Sequence, residues 1–329
     1  MTLLIIVTVA IVCLILLVNV LIDVVRSIKR KEKYKKSEIV LAYSLLLPAI
    51  VLAFFFVLLP IIMSLGYAFT DANVLRIDLA EFNDFENFKR IFSELFDTSS
   101  KLHISIRNTA LFVVLVVPLQ IGLALALAIF CNNKKRGTTI FKICFFTPVA
   151  VSLSVTCFLW QEILSPSETG FMNSLLGLFG IPKQDFLHNE NTTIQWMVVM
   201  SAWQGCGYQM LIFLSALGNI RKDLYEAASI DGASKFKQFF DITLPGLKPT
   251  LLYILVTVFI GACRVMIQPM ILTKNYDGGL TLSLFMYNEG FLTSGPGFGY
   301  SCAIALLFSI FIGTITLLQR KFLGERSKK

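Results

Sequence analysis

The sequence predicts an all-α membrane protein, and two features of its composition lead to this prediction. Of its 329 residues, 56% are hydrophobic and only 15% are charged, and the mean hydropathy is +0.73. A soluble domain carries about a quarter charged residues. The chain also contains uncharged stretches longer than the roughly 20 residues of helix that cross a bilayer. These features argue against a soluble enzyme and a nucleic-acid-binding protein, despite the net charge of +8.

Seven stretches are expected to span the membrane, each justified by its lack of charge. Six have no charged residue: 1–22, 39–70, 108–133, 143–161, 191–220 and 290–319. The seventh, 250–273, contains only Arg264 and is apolar enough to insert. The first stretch has no basic residues before it, so we expect a retained helix rather than a cleaved signal.

The positions of the basic residues predict the orientation of the chain. Residues 26–36, 134–142, 221–248 and 320–329 carry 21 of the 29 Lys and Arg residues. Short basic loops stay in the cytoplasm. We therefore expect the N-terminus outside and the C-terminus inside.

The predicted spans and loops divide the chain into four parts. Residues 1–38 hold an extra N-terminal span and a basic linker, and 39–105 hold a span and an external loop. Residues 106–323 form a helical core with a cytoplasmic loop at 218–250, and 324–329 are the cytoplasmic tail.

The external loop is expected to contain an amphipathic helix. Its apolar side chains recur at helical spacing: Phe85, Phe88, Ile91, Phe92, Leu95 and Phe96. Charges occupy the other face: Glu86, Lys89, Arg90 and Glu94. Such a helix packs on lipid or on its own bundle, or it binds a partner, and packing is the favoured interpretation.

We expect no catalytic site, no metal site and no cofactor bound by this chain. The two histidines, His103 and His188, lie in outer loops, and no carboxylate pair or metal-ligand cluster lies within a predicted span. No phosphate-binding loop of the form GxxxxGK[ST] is present, so the chain is not expected to hydrolyse ATP. The seven cysteines lie in or beside spans and are expected to pack.

The cytoplasmic segment 225–245 has an unusual composition for a loop. Leu224, Ala227 and Ala228 favour a short helix whose small residues permit close approach of another protein. Gly232 permits a turn that a residue with a Cβ would resist. We call this segment the helical knob.

A second short helix is expected in the later part of the helical knob. Phe236, Phe239 and Phe240 give it an apolar face, and Pro245 with Pro249 is expected to stop it before the next span. The helical knob is therefore expected to be a rigid projection into the cytoplasm.

The helical knob carries the signature loop of a known family. The signature is Glu-Ala-Ala, three residues, Gly, nine residues, Ile, one residue and Leu-Pro, and every position matches: Glu226, Ala227, Ala228, Gly232, Ile242, Leu244 and Pro245. The chain thus resembles permease subunits of binding-protein-dependent ABC importers, in the carbohydrate branch related to the maltose permease. Weaker matches extend over most of 39–321: Asn87-Phe88, Asn108-Thr109, Thr147-Pro148, Gly170, Asn173 and Gly299-Tyr300.

The resemblance implies a fold, a location and partners. It implies a core of six helices, to which the first span is an addition, in a bacterial inner membrane. It also implies a heterodimer with a second homologous permease, two copies of an ABC ATPase, and an extracellular or periplasmic solute-binding protein. ATP and Mg²⁺ would bind to the ATPase.

The resemblance also implies which residues couple transport to the ATPase. The helical knob would dock in a groove on the ATPase, with Glu226 as a candidate for an ion pair and Gly232 for the turn that shapes the contact. The candidate coupling residues are Glu226, Ala227, Ala228, Asp231, Gly232 and Ala233.

Sugar contacts in the maltose permease come from the two helices that flank this loop. Carried over by position, they fall on Ser201, Gln204, Gly205, Tyr208, Thr257, Ile260, Gly261 and Arg264, and all but Ile260 are taken as candidate substrate residues. Ser201, Gln204 and Tyr208 also recur at intervals of three and four, hence on one helix face. A sugar needs hydrogen-bond partners and an aromatic surface, which these side chains supply.

Arg264 has two equally weighted interpretations. A lone Arg in a span is costly unless it meets water, a counter-charge or a substrate. It would bind an acidic or hydroxylated substrate, or pair with a carboxylate of a partner subunit.

Import of a sugar or oligosaccharide by alternating access is the leading functional hypothesis. The same architecture would also suit a sugar acid, glycerol phosphate or another small solute. A secondary transporter would need no ATPase, and a membrane scaffold or receptor would transport nothing.

Overall fold

The fold is described by a computed structural model that covers most of the chain. The described residues are 36–132, 137–167, 170–274, 276–293 and 295–324. Over these residues the regular secondary structure is helical apart from one isolated bridge between Thr70 and Phe82, which confirms the predicted all-α class. Its α-helices are α1 (Lys36–Ala53), α2 (Leu59–Tyr67), α3 (Glu86–Phe96), α4 (Lys101–Asn132), α5 (Thr138–Ala150), α6 (Leu153–Ile163), α7 (Phe171–Gly177), α8 (Thr193–Gly218), α9 (Lys222–Ile230), α10 (Lys235–Gln238), α11 (Leu244–Cys263), α12 (Ile267–Leu272), α13 (Leu282–Tyr287) and α14 (Gly297–Gly324).

Five helical stretches within the described residues are long and apolar enough to cross a membrane. They are Tyr43–Tyr67, Lys101–Asn132, Thr193–Gly218, Lys235–Cys263 and Gly297–Lys321. The pair α5 and α6 is a sixth candidate if it counts as one span. The expected first span, 1–22, lies outside the described residues, so the count of seven stays a prediction.

The expected span 143–161 is not one straight helix, which corrects the prediction from hydropathy. α5 ends at Ala150, α6 begins at Leu153, and their axes differ by 102°. Val151 between them is extended, with φ −82° and ψ 138°. Pro148 in the last turn of α5 weakens the helix there, because proline lacks the N–H that continues it. A charge-free stretch carries no signal of such a break.

The expected span 250–273 also differs from the structure at both ends. A π-helical turn, Phe239–Thr243, joins α10 to α11, so this span runs continuously from Lys235. The expectation that Pro245 and Pro249 stop a helix was wrong, because the π-helical turn leads directly into Pro245 and α11 continues through Pro249. α11 then ends at Cys263, before the separate helix α12.

The centre of the bundle is the pair α4 and α8, which make the most extensive contact among the described helices. At one end of this pair, Phe213 of α8 and Leu247 of α11 are fully buried in one apolar cluster. At the other end, Phe112 and Met197 are buried in a second cluster with Leu272 of α12. Within a membrane such side chains stabilise the bundle through van der Waals packing, because the lipid around the helices is as apolar as they are.

A buried asparagine holds a loop to the bundle at the end of the molecule opposite the helical knob. Asn108 Nδ2, in α4, lies 3.0 Å from the carbonyl oxygen of Asp277, 3.2 Å from that of Gly278 and 3.1 Å from that of Leu280. Buried carbonyl groups need such donors. This side chain therefore positions the loop between α12 and α13.

The predicted amphipathic helix is α3, and it packs on the protein's own bundle. Ile91 is buried in a cluster with Tyr300 of α14. The guanidinium carbon of Arg90 lies 3.8 Å from the centre of the Tyr300 ring, and Tyr300 Oη donates a 2.7 Å hydrogen bond to Glu94. Polar as well as apolar contacts thus attach α3 to α14.

Candidate functional site

A cavity of about 370 Å³ lies where α4, α8, α11 and α12 converge. Its polar side chains are Gln120, Ser201, Gln204, Gln209, Thr257 and Gln268. Two glycines, Gly205 and Gly261, also line it. A Cβ on Gly261 would meet nothing within 4 Å, so this glycine leaves space in the cavity.

Five of the seven candidate substrate residues line this cavity, and two do not. The five are Ser201, Gln204, Gly205, Thr257 and Gly261. Tyr208 is 50% exposed and lines a neighbouring groove with Phe146 and Asn219. Arg264 is exposed at the end of α11, outside the set of residues that line the cavity. The carry-over by position thus names residues on two helices that line the cavity, whereas the depth and direction of each side chain depend on packing.

Two of the cavity's polar side chains are already bonded to other helices. Ser201 Oγ lies 2.6 Å from Gln268 Oε1 and 2.7 Å from the carbonyl oxygen of Met197. Gln204 Nε2 donates a long, 3.4 Å hydrogen bond to Thr156 Oγ1. Ser201 therefore orients Gln268 and joins α8 to α12.

Sequence reasoning missed Gln120 and Gln209, which also line the cavity. Gln120 is the only glutamine between Asn108 and Asn132 of α4, and an isolated amide in an apolar span is a signal that pointed to it. Gln209 follows Gly205 by one helical turn, which places it beside the predicted face. Both are 9% exposed.

Gly205 has a packing role that its position relative to the maltose permease did not suggest. A Cβ at this position would lie 2.2 Å from Gln120 Nε2. Real Cβ atoms do not come so close to another heavy atom, so the glycine lets the Gln120 amide reach α8.

The cavity combines apolar walls with uncharged polar groups, and this decides what it can do chemically. None of the described residues that line it is ionisable at neutral pH. It therefore offers amide and hydroxyl groups, which donate and accept hydrogen bonds.

The helical knob has the predicted form of helix, turn and helix. Gly232 has φ +77°. Its N–H donates to the carbonyl oxygen of Ser229 at 3.2 Å, and the N–H of Ala233 donates to that of Ala228 at 2.8 Å. These two bonds form a Schellman cap, which requires a left-handed residue and therefore favours glycine.

Side-chain hydrogen bonds hold the helical knob together. Gln238 Nε2 donates to Ser229 Oγ at 2.9 Å, which joins α10 to α9. The hydroxyl groups of Tyr225 and Thr243 are 2.9 Å apart, which joins α9 to the turn before α11. The unit is therefore attached firmly to the start of α11.

The helical knob exposes apolar side chains to solvent. Ile230 is 87% exposed and Phe236 is 75% exposed, and the candidates Glu226 and Asp231 are exposed beside them. Exposed apolar side chains with a charged rim are typical of protein-binding surfaces.

Comparisons with known proteins agree with this architecture. A family model described as "Binding-protein-dependent transport system inner membrane component" matches residues 102–324. The chain is 31% identical over 301 residues to "Probable ABC transporter permease protein YesP" of Bacillus subtilis (strain 168), covering 90% of this chain and 94% of that protein. It is 35% identical over 222 residues to "Arabinooligosaccharides transport system permease protein AraP" of the same organism, covering 66% and 70%.

Two further comparisons cover nearly the whole chain. "Lactose transport system permease protein LacF" of Rhizobium radiobacter is 29% identical over 289 residues, covering 86% of this chain and 93% of that protein. A chain in the crystal structure of a bacterial alginate ABC transporter, in complex with an alginate pentasaccharide-bound periplasmic protein, superposes with a TM-score of 0.71. It is 24% identical, covers 89% of this chain and 95% of that chain, and supports the fold alone.

Proposed function

We propose that this chain, which belongs to the family of binding-protein-dependent transport system inner membrane components, is the permease subunit of an ATP-driven importer of a sugar or oligosaccharide. The observation that carries the proposal is the helical knob, a capped and internally bonded projection with an exposed apolar surface. The relatives named for arabinooligosaccharide and lactose transport support a sugar.

The connection between the helical knob and the cavity supports a coupling mechanism. α8 leads into the helical knob, α11 leads out of it, and both helices line the cavity. A closing ATPase dimer that moves the helical knob would move both walls together. The cavity would then open alternately to the two sides of the membrane.

The remaining functions of such an importer, which are ATP hydrolysis, completion of the translocation path and delivery of the solute, are assigned to partner proteins. Two copies of an ABC ATPase would bind ATP and Mg²⁺, and one would hold the helical knob through Ile230, Phe236 and Glu226. A second homologous permease would complete the translocation path, and an extracellular or periplasmic binding protein would deliver the solute. The N-terminus would lie outside and the C-terminus in the cytoplasm.

Purification through a C-terminal tag, with mass spectrometry of the proteins recovered, tests the proposal. We expect an ATPase and a second permease with the native chain, and loss of the ATPase with Gly232→Val. Gly180→Val is the matched control, because Gly180 also has a left-handed backbone, with φ +69°, and free space around it, in an outer loop. Recovery of the chain alone, in a form that imports solute without ATP, would instead establish a secondary transporter.

A further inference from the structure

An apolar groove of about 490 Å³ lies on the side of the bundle, apart from the cavity described above. Residues of α3, α4, α11, α13 and α14 line it. Its floor is buried and includes Leu102, Leu282 and Ile304, whereas Val114 and Phe311 on its rim are 68% and 55% exposed. The groove therefore opens sideways, and what surrounds the side of a membrane-spanning bundle is lipid.

The groove offers a ligand few hydrogen-bonding groups. Apart from the thiol of Cys263, the hydroxyl group of Thr109 is the one polar side-chain group among the described residues that line it. Thr109 Oγ1 donates to the carbonyl oxygen of Ser105 at 2.8 Å and accepts from the N–H of Leu282 at 2.8 Å. A hydroxylated ligand would lose its hydration here without replacing it. The groove therefore suits a hydrocarbon chain.

The length of the groove matches one leaflet of a bilayer. Along α4 its lining runs from Leu102 to Val114, which is a rise of about 18 Å at roughly 1.5 Å per residue. One leaflet contributes about 15 Å to the hydrocarbon core of a membrane. Leu102 lies in the first turn of α4, at the end of the bundle opposite the helical knob, and Val114 lies deeper. One acyl chain of the leaflet on that side would thus extend along the whole groove.

A positive charge lies beside the shallow end of the groove. Arg107 precedes Ala110 and Val114, which both line the groove, by three and seven residues, so the three share one face of α4. Helical side chains lean toward the N-terminus of their helix, and long basic side chains extend toward the membrane surface. Arg107 is exposed and forms no ion pair with a described residue, whereas Lys101 lies 3.8 Å from Asp277. Arg107 is therefore available to an anion at the membrane surface.

We infer that this groove binds a phospholipid of the leaflet opposite the helical knob, with one acyl chain between α4 and α14 and the phosphate group paired with Arg107. A guanidinium group can hold a phosphate through two parallel hydrogen bonds. The chain would fill the space that α3, α4 and α14 leave open, so it would also help to hold α3 on the bundle. This site does not depend on which solute the protein transports.

The test measures lipid binding to the full-length protein, purified in a mild detergent with any partner proteins that stay attached and then depleted of lipid. Native mass spectrometry gives the affinity of the first lipid molecule bound. The probes are dioleoylphosphatidylglycerol, dioleoylglycerol, which has the same chains without phosphate, and glycerol phosphate, which has no chains. We expect phosphatidylglycerol to bind about fivefold more tightly than dioleoylglycerol, and glycerol phosphate not to bind.

Two variants separate the phosphate contact from the chain contact. Arg107→Gln should weaken binding of phosphatidylglycerol about fivefold and leave that of dioleoylglycerol unchanged. Ala110→Phe should abolish binding of both, because it fills the groove from its open side. Arg76→Gln and Ala126→Phe are the matched controls, at exposed positions that do not line the groove, and should bind each probe as the native protein does.

Several results would overturn the inference. These are equal affinities for phosphatidylglycerol and dioleoylglycerol, native affinity for phosphatidylglycerol in Arg107→Gln, or native affinity for both lipids in Ala110→Phe. Failure of every probe to bind would also overturn it. Cross-linking through Ala110→Cys in the membrane would then identify the polypeptide that covers the groove, which would be residues 1–22 of this chain or a partner protein.

Discussion

The approach of Gln120 to α8 depends on the missing side chain of Gly205, so Gly205→Ala tests the cavity geometry directly. A Cβ there would lie 2.2 Å from Gln120 Nε2 and 2.8 Å from its Cδ. Carbon contacts are favourable only from about 3.5 Å outward, so the amide must withdraw by about 1 Å. The end of a glutamine side chain can do this without moving the backbone.

The magnitudes predict a functional change with little loss of stability. Moving Gln120 off its rotamer costs about 0.5–1.5 kcal/mol, and alanine in a helix interior gains about 0.5–1 kcal/mol over glycine. The two terms nearly cancel, so we expect the melting temperature in detergent to change little. If the cavity holds the sugar as proposed, sugar binding to the purified transporter should weaken about fivefold, because one amide withdraws from the cavity lining.

Gly207→Ala is the matched control, two residues along the same helix. A Cβ there would lie 2.1 Å from the backbone oxygen of Phe145 and 3.0 Å from the backbone Cα of Phe146. Backbone atoms of α5 cannot swing aside, so we expect a stability loss of about 1–3 kcal/mol. Equal losses of stability in the two variants, or unchanged sugar binding by Gly205→Ala, would refute the reasoning.

Two further predictions concern the ends of the molecule. Asn108→Ala removes the donor for three carbonyl oxygens and should lower the free energy of unfolding by about 1–3 kcal/mol, measured as a lower melting temperature. Asn132→Ala, at the exposed end of the same helix, should cost little. Equal melting temperatures of the two variants would contradict this role of Asn108. Phe236→Ser should reduce recovery of the ATPase, because it removes an exposed apolar contact from the helical knob, while Phe179→Ser, equally exposed at 75% in an outer loop, should not. Loss of the ATPase in both variants would mean a general defect instead of a docking contact.

The amphipathic helix shows what helical spacing in a sequence can predict and what it leaves open. Helical spacing predicted α3 and its apolar face, and the structure confirms the helix as Glu86–Phe96. The pattern left open whether this face meets lipid, the bundle or a partner. Burial of Ile91 in a cluster with Tyr300, 209 residues away in sequence, settles that part of this face packs on the bundle, while Phe92 and Phe96 remain exposed.

The sequence by itself determined the features that depend on neighbours along the chain. Absence of charge over about 20 residues is enough to predict a membrane helix. The turn of the helical knob was also predictable, because a Schellman cap closes within six residues and needs glycine at one of them. The glycine at position 232 therefore predicts its own left-handed backbone conformation.

Only the tertiary structure decided which polar side chains meet in the cavity. Gln120 and Gln209 belong to helices far apart in sequence, and Tyr208 points to another groove although it shares a helix face with Ser201. The rotation and depth of each helix are set by how its apolar side chains pack against the others, and a cavity is what that packing leaves unfilled. Local spacing identifies a face of one helix, whereas a cavity requires the relative positions of four.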